Sequence, residues 1–227
     1  MTASVSPRQL LLALDHAENF AREDFLSGPS NTAALTLIDR WPDWPDRVMA
    51  LIGPEGSGKS HLASMWAAEA GARSVAARAL THLDLPAAFA TGALVVEDLD
   101  PGGFDERTLF HLLNLAREEA AYVLITARAA PSTLELSIRD LASRLRAVPA
   151  VVLAPPDDAL FRALIIKLGA DRQLTMDEAL VGYLVNRIER SFAAARAAVL
   201  RLDEESLRLQ RPLTKSLAAE LFRSPSA

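Results

Sequence analysis

The sequence predicts an α/β fold, in which a parallel sheet covered by helices carries a phosphate-binding loop and is followed by a smaller, all-helical part. Three observations carry this. The stretch Gly53-Pro54-Glu55-Gly56-Ser57-Gly58-Lys59-Ser60 fits the pattern G-x-x-x-x-G-K-[ST] at every required position, with the apolar run Val48 to Ile52 before it and a helical pattern from Leu62 to Ala70 after it. Short apolar runs then alternate with helix patterns, which implies parallel strands joined by crossover helices. Beyond Pro155-Pro156 the strand pattern stops, and only helix patterns separated by turns remain.

The first residues are ambiguous. In Gln9-Leu10-Leu11-Leu12-Ala13-Leu14 the leucines at 10, 12 and 14 alternate as in an extended strand. They suit a terminal element tucked on the core, or an exposed peptide that inserts its leucines into a partner's groove with the Gln9 amide fixing register. Phe25-Leu26-Ser27-Gly28-Pro29-Ser30-Asn31 is a turn signal, followed by a helix pattern through Ala33, Ala34, Leu37 and Ile38. Trp41-Pro42-Asp43-Trp44-Pro45-Asp46 ends that helix. With no basic cluster around them, the two tryptophans read as packing anchors rather than base-stacking groups.

After the first strand (48–52), runs at 74–77, 93–98, 122–126 and 150–153 predict four more. Between the third and fourth, Asp105 to Glu119 places Leu109, Leu112, Leu113 and Ala116 on one helix face. In the final part, turns are expected near Gly169 to Leu174, Glu189 to Ser191 and Gln210 to Pro212. The organisation expected is a tail over 1–20, an α/β core over 21–155 and a helical subdomain over 156–227.

Composition narrows the function classes. The chain has 227 residues, half of them apolar, enough for a sizeable core and against global disorder. It has no cysteine, no secretory signal and no apolar run long enough for a bilayer, so a soluble cytoplasmic protein is expected. The formal net charge is −5, and the regions before and after residue 155 hold 13 basic against 19 acidic and 11 against 10 side chains. Neither is a basic module, which argues against sequence-specific DNA binding as the main task.

The chemistry is expected at the loop and the strand ends. Backbone N–H groups of Gly53, Pro54's neighbours Glu55 and Gly56, then Ser57 and Gly58 converge on phosphate oxygens; Lys59 meets the outer phosphates, Ser60 ligates Mg²⁺, and His61 lies in the first helical turn near phosphate. Glu97 and Asp98 end the third strand, where one carboxylate would face the metal shell and the next polarise the attacking water. Thr126 ends the fourth strand, as a γ-phosphate sensor or as an ordinary polar terminus. The four histidines show no metal-ligand spacing.

In this order, Gly28-Pro29-Ser30-Asn31, the phosphate loop with His61-Leu62, the acid pair, the Thr126 strand end, Asp140 to Leu145 and the helical ending resemble the AAA+ module of the bacterial initiator DnaA. Within that family they resemble the Hda branch more closely, over nearly the whole chain. The resemblance implies a P-loop NTPase core with a five-stranded parallel sheet and a small helical lid, binding ADP or ATP with Mg²⁺. It implies that the segment with Gln9, Leu10, Leu12 and Leu14 is held on the DNA polymerase sliding clamp. It also implies that Arg144 is an arginine finger acting in trans on ATP bound to DnaA, so that replication is not re-initiated; self-association is open. The sequence ends after the lid, as expected for Hda rather than for an initiator with a further DNA-binding domain.

Two departures bear on activity. The family puts Asp in the first, metal-facing position of the acid pair, and Glu97 there implies weak intrinsic hydrolysis. The lid arginine of the family aligns with Ala193, flanked three residues away by Arg190 and Arg196, either of which could substitute. A helicase loader or adaptor of the same superfamily and a freestanding P-loop phosphotransferase are the alternative readings.

Overall fold

The computed structural model describes residues 22–222, so the leucine-rich segment around Gln9 lies outside the described residues. Helix α1 (Thr32–Asp39) leads to β1 (Val48–Ile52), the loop, α2 (Lys59–Ala70), β2 (Arg73–Ala76), the one-turn α3 (Leu85–Ala88) and β3 (Ala93–Glu97). Then come α4 (Glu106–Glu118), β4 (Tyr122–Ala127), α5 (Arg139–Ala147) and β5 (Ala150–Val152). Helices α6 (Asp158–Asp171), α7 (Glu178–Arg187), α8 (Phe192–Leu209) and α9 (Lys215–Leu221) follow without a strand.

The five strands form one parallel sheet in the order β2-β3-β4-β1-β5. Strands covered on both faces read as continuous apolar runs, and β1, β3 and β4 are buried along almost their whole length for that reason. One face packs Leu94, Val96, Val123 and Ile125 against Leu109, Leu112 and Leu113 of α4 and Leu141 and Leu145 of α5. The other packs Met49, Leu51 and Leu124 against Leu62, Met65 and Trp66 of α2 and Leu37 and Ile38 of α1. Trp44 stacks on Trp66, its centroid 4.9 Å away, and its indole N–H donates to the Leu37 carbonyl at 2.7 Å. The proline-flanked tryptophans are therefore packing anchors, as expected.

Several strand ends shift by one residue: β4 runs on to Ala127, so Thr126 is its penultimate residue, and β5 stops at Val152. β2 starts and stops one residue earlier, because Ala77 begins a short 3-10 helix (Ala77–His82). β3 stops at Glu97, because Asp98 adopts a left-handed φ of 56° and turns the chain out of the sheet.

The helices after residue 157 build a separate core from Phe161, Ile165, Leu184, Val199 and Leu202, with Leu26 packed against it. Each starts with a side-chain cap: Asp157 accepts from the Leu160 N–H, Asp177 from Leu180, Ser191 from Ala194 and Thr214 from Leu217. Such caps contribute about 1 kcal/mol each, and they explain why this alanine-rich stretch breaks into helices at fixed points. Among the described residues, no helix is long and apolar enough to cross a membrane.

Candidate nucleotide site

The loop from Gly53 to Gly58 lies beyond the carboxyl end of β1, between the ends of β4 and β5 and with β3 one strand further on, where open parallel sheets bind their ligands. Its backbone is pinned at the start: the Gly53 N–H donates to the Ala127 carbonyl at 3.1 Å. A Cβ on Gly53 would meet the Leu153 carbonyl oxygen at 2.5 Å, so only glycine fits. Gly58 is the N-cap of α2 with φ 97° and offers no capping side chain. The first N–H groups of this 12-residue helix therefore point outward as an anion-binding end. Ser57 is buried, and its hydroxyl has no hydrogen-bond partner among the described residues.

Lys59 is buried within the loop and donates from Nζ to the carbonyls of Gly53 and Pro54, both at 2.8 Å. Burial lowers the pKa of its ammonium, opposed by the charges of Asp98, then Asp100, and more weakly Glu55. A phosphate placed against it restores the stabilisation of the charge that burial removes.

Thr126 is fully buried beside Leu51 of β1. Its Oγ1 accepts from the Asp98 N–H at 3.0 Å, and its carbonyl accepts from the Leu99 N–H at 2.8 Å. Thr126 thus fixes the turn that presents Asp98, while its hydroxyl retains a proton for a further acceptor. Asp98 is exposed at that turn and Glu97 is half-buried just before it. Ser60 is exposed at the start of α2. A hydroxyl and one or two carboxylates facing a phosphate loop fit Mg²⁺, which takes its remaining ligands from phosphates and water. Among the described residues no cluster of three or more His, Asp or Glu forms a cage from protein alone.

The lid closes directly on the loop. The Phe192 N–H at the start of α8 donates to the Gly56 carbonyl at 2.7 Å. A Cβ on Gly56, whose φ is 68°, would lie 3.0 Å from the side chains of Ser191 and Ala193. Phe192 and Phe25 flank Gly58, and Phe25 meets His61 edge-on at 5.2 Å between centroids. Ala193 therefore occupies the contact point itself. Arg190 pairs with Asp158 at 2.6 Å, at the first turn of α6. Across the loop's outer side, Arg128 joins Glu55 to Asp100, each at 3.2 Å.

Arg144 is not part of this site. It lies on α5, half-buried, with its guanidinium 5.0 Å from the centre of the Phe110 ring. It lines a groove of about 410 Å³ together with Arg47, Val48, Leu113 and Arg117. Val48 begins β1 and the phosphate loop follows its end, so a strand's length separates the two. Helix α5 has no side-chain cap of its own. Glu106 of α4 supplies one from outside, its carboxylate accepting from the N–H groups of Ser137 (2.9 Å) and Ile138 (2.9 Å).

Those two bonds hold the Glu106 carboxyl below its ordinary range. The charged form is favoured in the folded state, so the stabilisation is complete above the ordinary glutamate pKa and is lost as pH falls through the lowered folded value. Glu106→Gln should melt below the parent at pH 7, and the gap should close as pH drops below about 4. A gap that persists unchanged in acid would disprove the external cap.

Sequence reading missed Arg128, Asp100, Glu106 and Phe192. Asp98-Leu99-Asp100 did offer a signal, two acids two apart at a strand end, but which acid reaches the loop depends on the φ of Asp98. No local pattern marks Arg128 or Phe192, which meet the loop only through the fold.

Residues 157–219 match the family described as "Hda, lid domain". Domain III of the Thermotoga maritima replication initiation protein DnaA superposes with a TM-score of 0.74 at 18% identity, covering 92% of this chain and 99% of that one. AMPPCP-bound DnaA from Aquifex aeolicus gives 0.67 at 18% identity, over 86% and 70% of the two chains. The Thermotoga maritima Holliday junction branch migration motor RuvB gives 0.65 at 16%, over 85% and 68%. At such identities the likeness is one of fold, an AAA+ core with a helical lid. No curated protein sequence matches the chain.

Proposed function

From an Hda-like, DnaA-related AAA+ protein, we propose a regulator of chromosomal replication initiation that binds an adenine nucleotide in its own loop and acts on ATP held by DnaA. In this reading Lys59 and the α2 N-terminus hold the phosphates, Ser60 with Asp98 or Glu97 holds Mg²⁺ through oxygen, and Thr126 positions Asp98. Asp98 polarises water only slowly, since the preceding strand position carries Glu97 rather than a shorter acid. The domain scheme proposed is a tail over 1–20, a core over 21–155 and a lid over 156–227.

The observation that carries the reading is the position of Arg144, away from its own phosphate loop and half-open on α5. An arginine of this kind has no oxyanion to stabilise in its own subunit, but it suits one supplied by a neighbour. DnaA with bound ATP is the neighbour we propose. Gln9, Leu10, Leu12 and Leu14 tether the regulator to the sliding clamp, which places it in the cytoplasm on newly copied DNA.

The test is hydrolysis of DnaA-bound ATP with this protein present, with and without clamp loaded on DNA. Clamp-dependent stimulation is expected. Replacing Gln9 and Leu10 together by alanine should remove clamp binding and the clamp-dependent part of the rate, with the melting temperature unchanged. Equal rates with and without clamp would remove the tether from the proposal; no stimulation under either condition would overturn it. Capture of the replicative helicase instead of clamp and DnaA would favour a loader.

A further inference from the structure

Arg128 stands beside the phosphate loop, and its charge opposes that of Lys59. It follows β4 by one residue, and its backbone is fixed where it stands: the Arg128 N–H donates to Asp100 Oδ1 at 3.2 Å. The side chain spans the loop's outer side, with Nη2 3.2 Å from Glu55 Oε2 and Nε 3.2 Å from Asp100 Oδ2. Glu55 is the third residue of the phosphate loop. The bridge therefore connects the loop to the segment that carries Asp98.

The pairing with Glu55 is a weak tether. The Arg128 side chain is 62% exposed and that of Glu55 78% exposed, and ion pairs in water contribute little because solvent screens them. A terminal phosphate carries more charge than either carboxylate and offers two oxygens to the planar guanidinium fork. On the lid side, Ala193 meets Gly56, and Arg190 is paired with Asp158.

We propose that Arg128 is a nucleotide-specificity residue: it leaves Glu55 for the outermost phosphate of a nucleotide in its own subunit, so that triphosphate is held more tightly than the protein would hold it otherwise. This rests on the loop being a nucleotide site. In the absence of the third phosphate, the guanidinium keeps its place on Glu55 and Asp100, and the loop's outer side is closed by that bridge. The residue acts in cis, and so has no share in the trans role of Arg144.

The test is titration of the full chain, and of Arg128→Ala and Arg128→Lys, with Mg²⁺-ATP and with ADP by calorimetry. Arg128→Ala is expected to weaken ATP binding roughly tenfold, the loss of one charge-assisted contact, while ADP changes less than about twofold. Arg128→Lys should recover part of the ATP loss, since it keeps the charge without the fork. A residue that only braces Glu55 against Asp100 would shift both nucleotides alike, and that outcome, or no shift in either, overturns the inference. Failure of the unsubstituted protein to bind either nucleotide would overturn the nucleotide site itself, and the inference with it.

Discussion

Arg144→Ala should return hydrolysis of DnaA-bound ATP to the rate of DnaA alone, a loss of roughly 10³ to 10⁵ if the arginine contributes as trans-acting fingers do. The reason lies in where the side chain stands. Its guanidinium rests over Phe110, at 5.0 Å from the ring centre, in a groove against α4 rather than against any phosphate-binding element of its own chain. Leaving that ring costs about 0.5–1 kcal/mol at an exposed site, small beside the stabilisation of charge in a transition state. The substitution should leave ATP and ADP binding by this protein untouched, since Arg144 contributes nothing to its loop. Arg144→Lys is expected to recover little, because a point charge does not reproduce two parallel N–H donors. The measurement is single-turnover hydrolysis of labelled ATP preloaded on DnaA, beside calorimetric nucleotide binding. Full stimulation by Arg144→Ala would exclude a finger at this position; Arg146, exposed two residues further along α5, would be the next to test.

Lys59→Ala should abolish detectable nucleotide binding, an expected loss of at least about 100-fold for removing a charged phosphate contact from a buried site. The lysine does two things at once. Its donors satisfy the Gly53 and Pro54 carbonyls, and its ammonium is the cation toward which Asp98 and Asp100 are drawn. Removing it leaves the Gly53 and Pro54 carbonyls without that donor and takes away the cation on which the charges of Asp98 and Asp100 act. The change should therefore cost some stability as well, and a melting curve beside the titration separates the two effects. Binding of ATP by Lys59→Ala at near-parental affinity would place the nucleotide somewhere other than this loop.

How much of this was legible beforehand differs from residue to residue. The five strands and their helices were legible because buried parallel strands must be apolar along their length, as Val48–Ile52 and Ala93–Glu97 are. The phosphate loop was legible because its glycines answer backbone demands: Gly53 has no space for a Cβ, and Gly56 and Gly58 hold positive φ. The breaks between the lid's helices were legible as turns near Gly169 to Leu174, Glu189 to Ser191 and Gln210 to Pro212. The partner of a charged side chain was not. Nothing near Glu106 in sequence says that it caps the helix carrying Arg144, 31 and 32 residues onward. Arg190 stood as one of two replacements for the lid arginine, and the fold pairs it with Asp158.

Local chain chemistry, the period of apolar residues and the few positions where only glycine or a capping side chain will do, decided the order of elements, the phosphate loop and the helical lid. These depend on neighbours within a turn or a strand, so a linear reading reaches them. Only the packed chain decided which acids face Lys59, that Phe192 and Ala193 seal Gly56, that Arg128 crosses the loop, and that Arg144 stands apart from it. Those facts arise from groups far apart in sequence that the fold brings together, and hydrogen bonds and ion pairs form only between groups in contact.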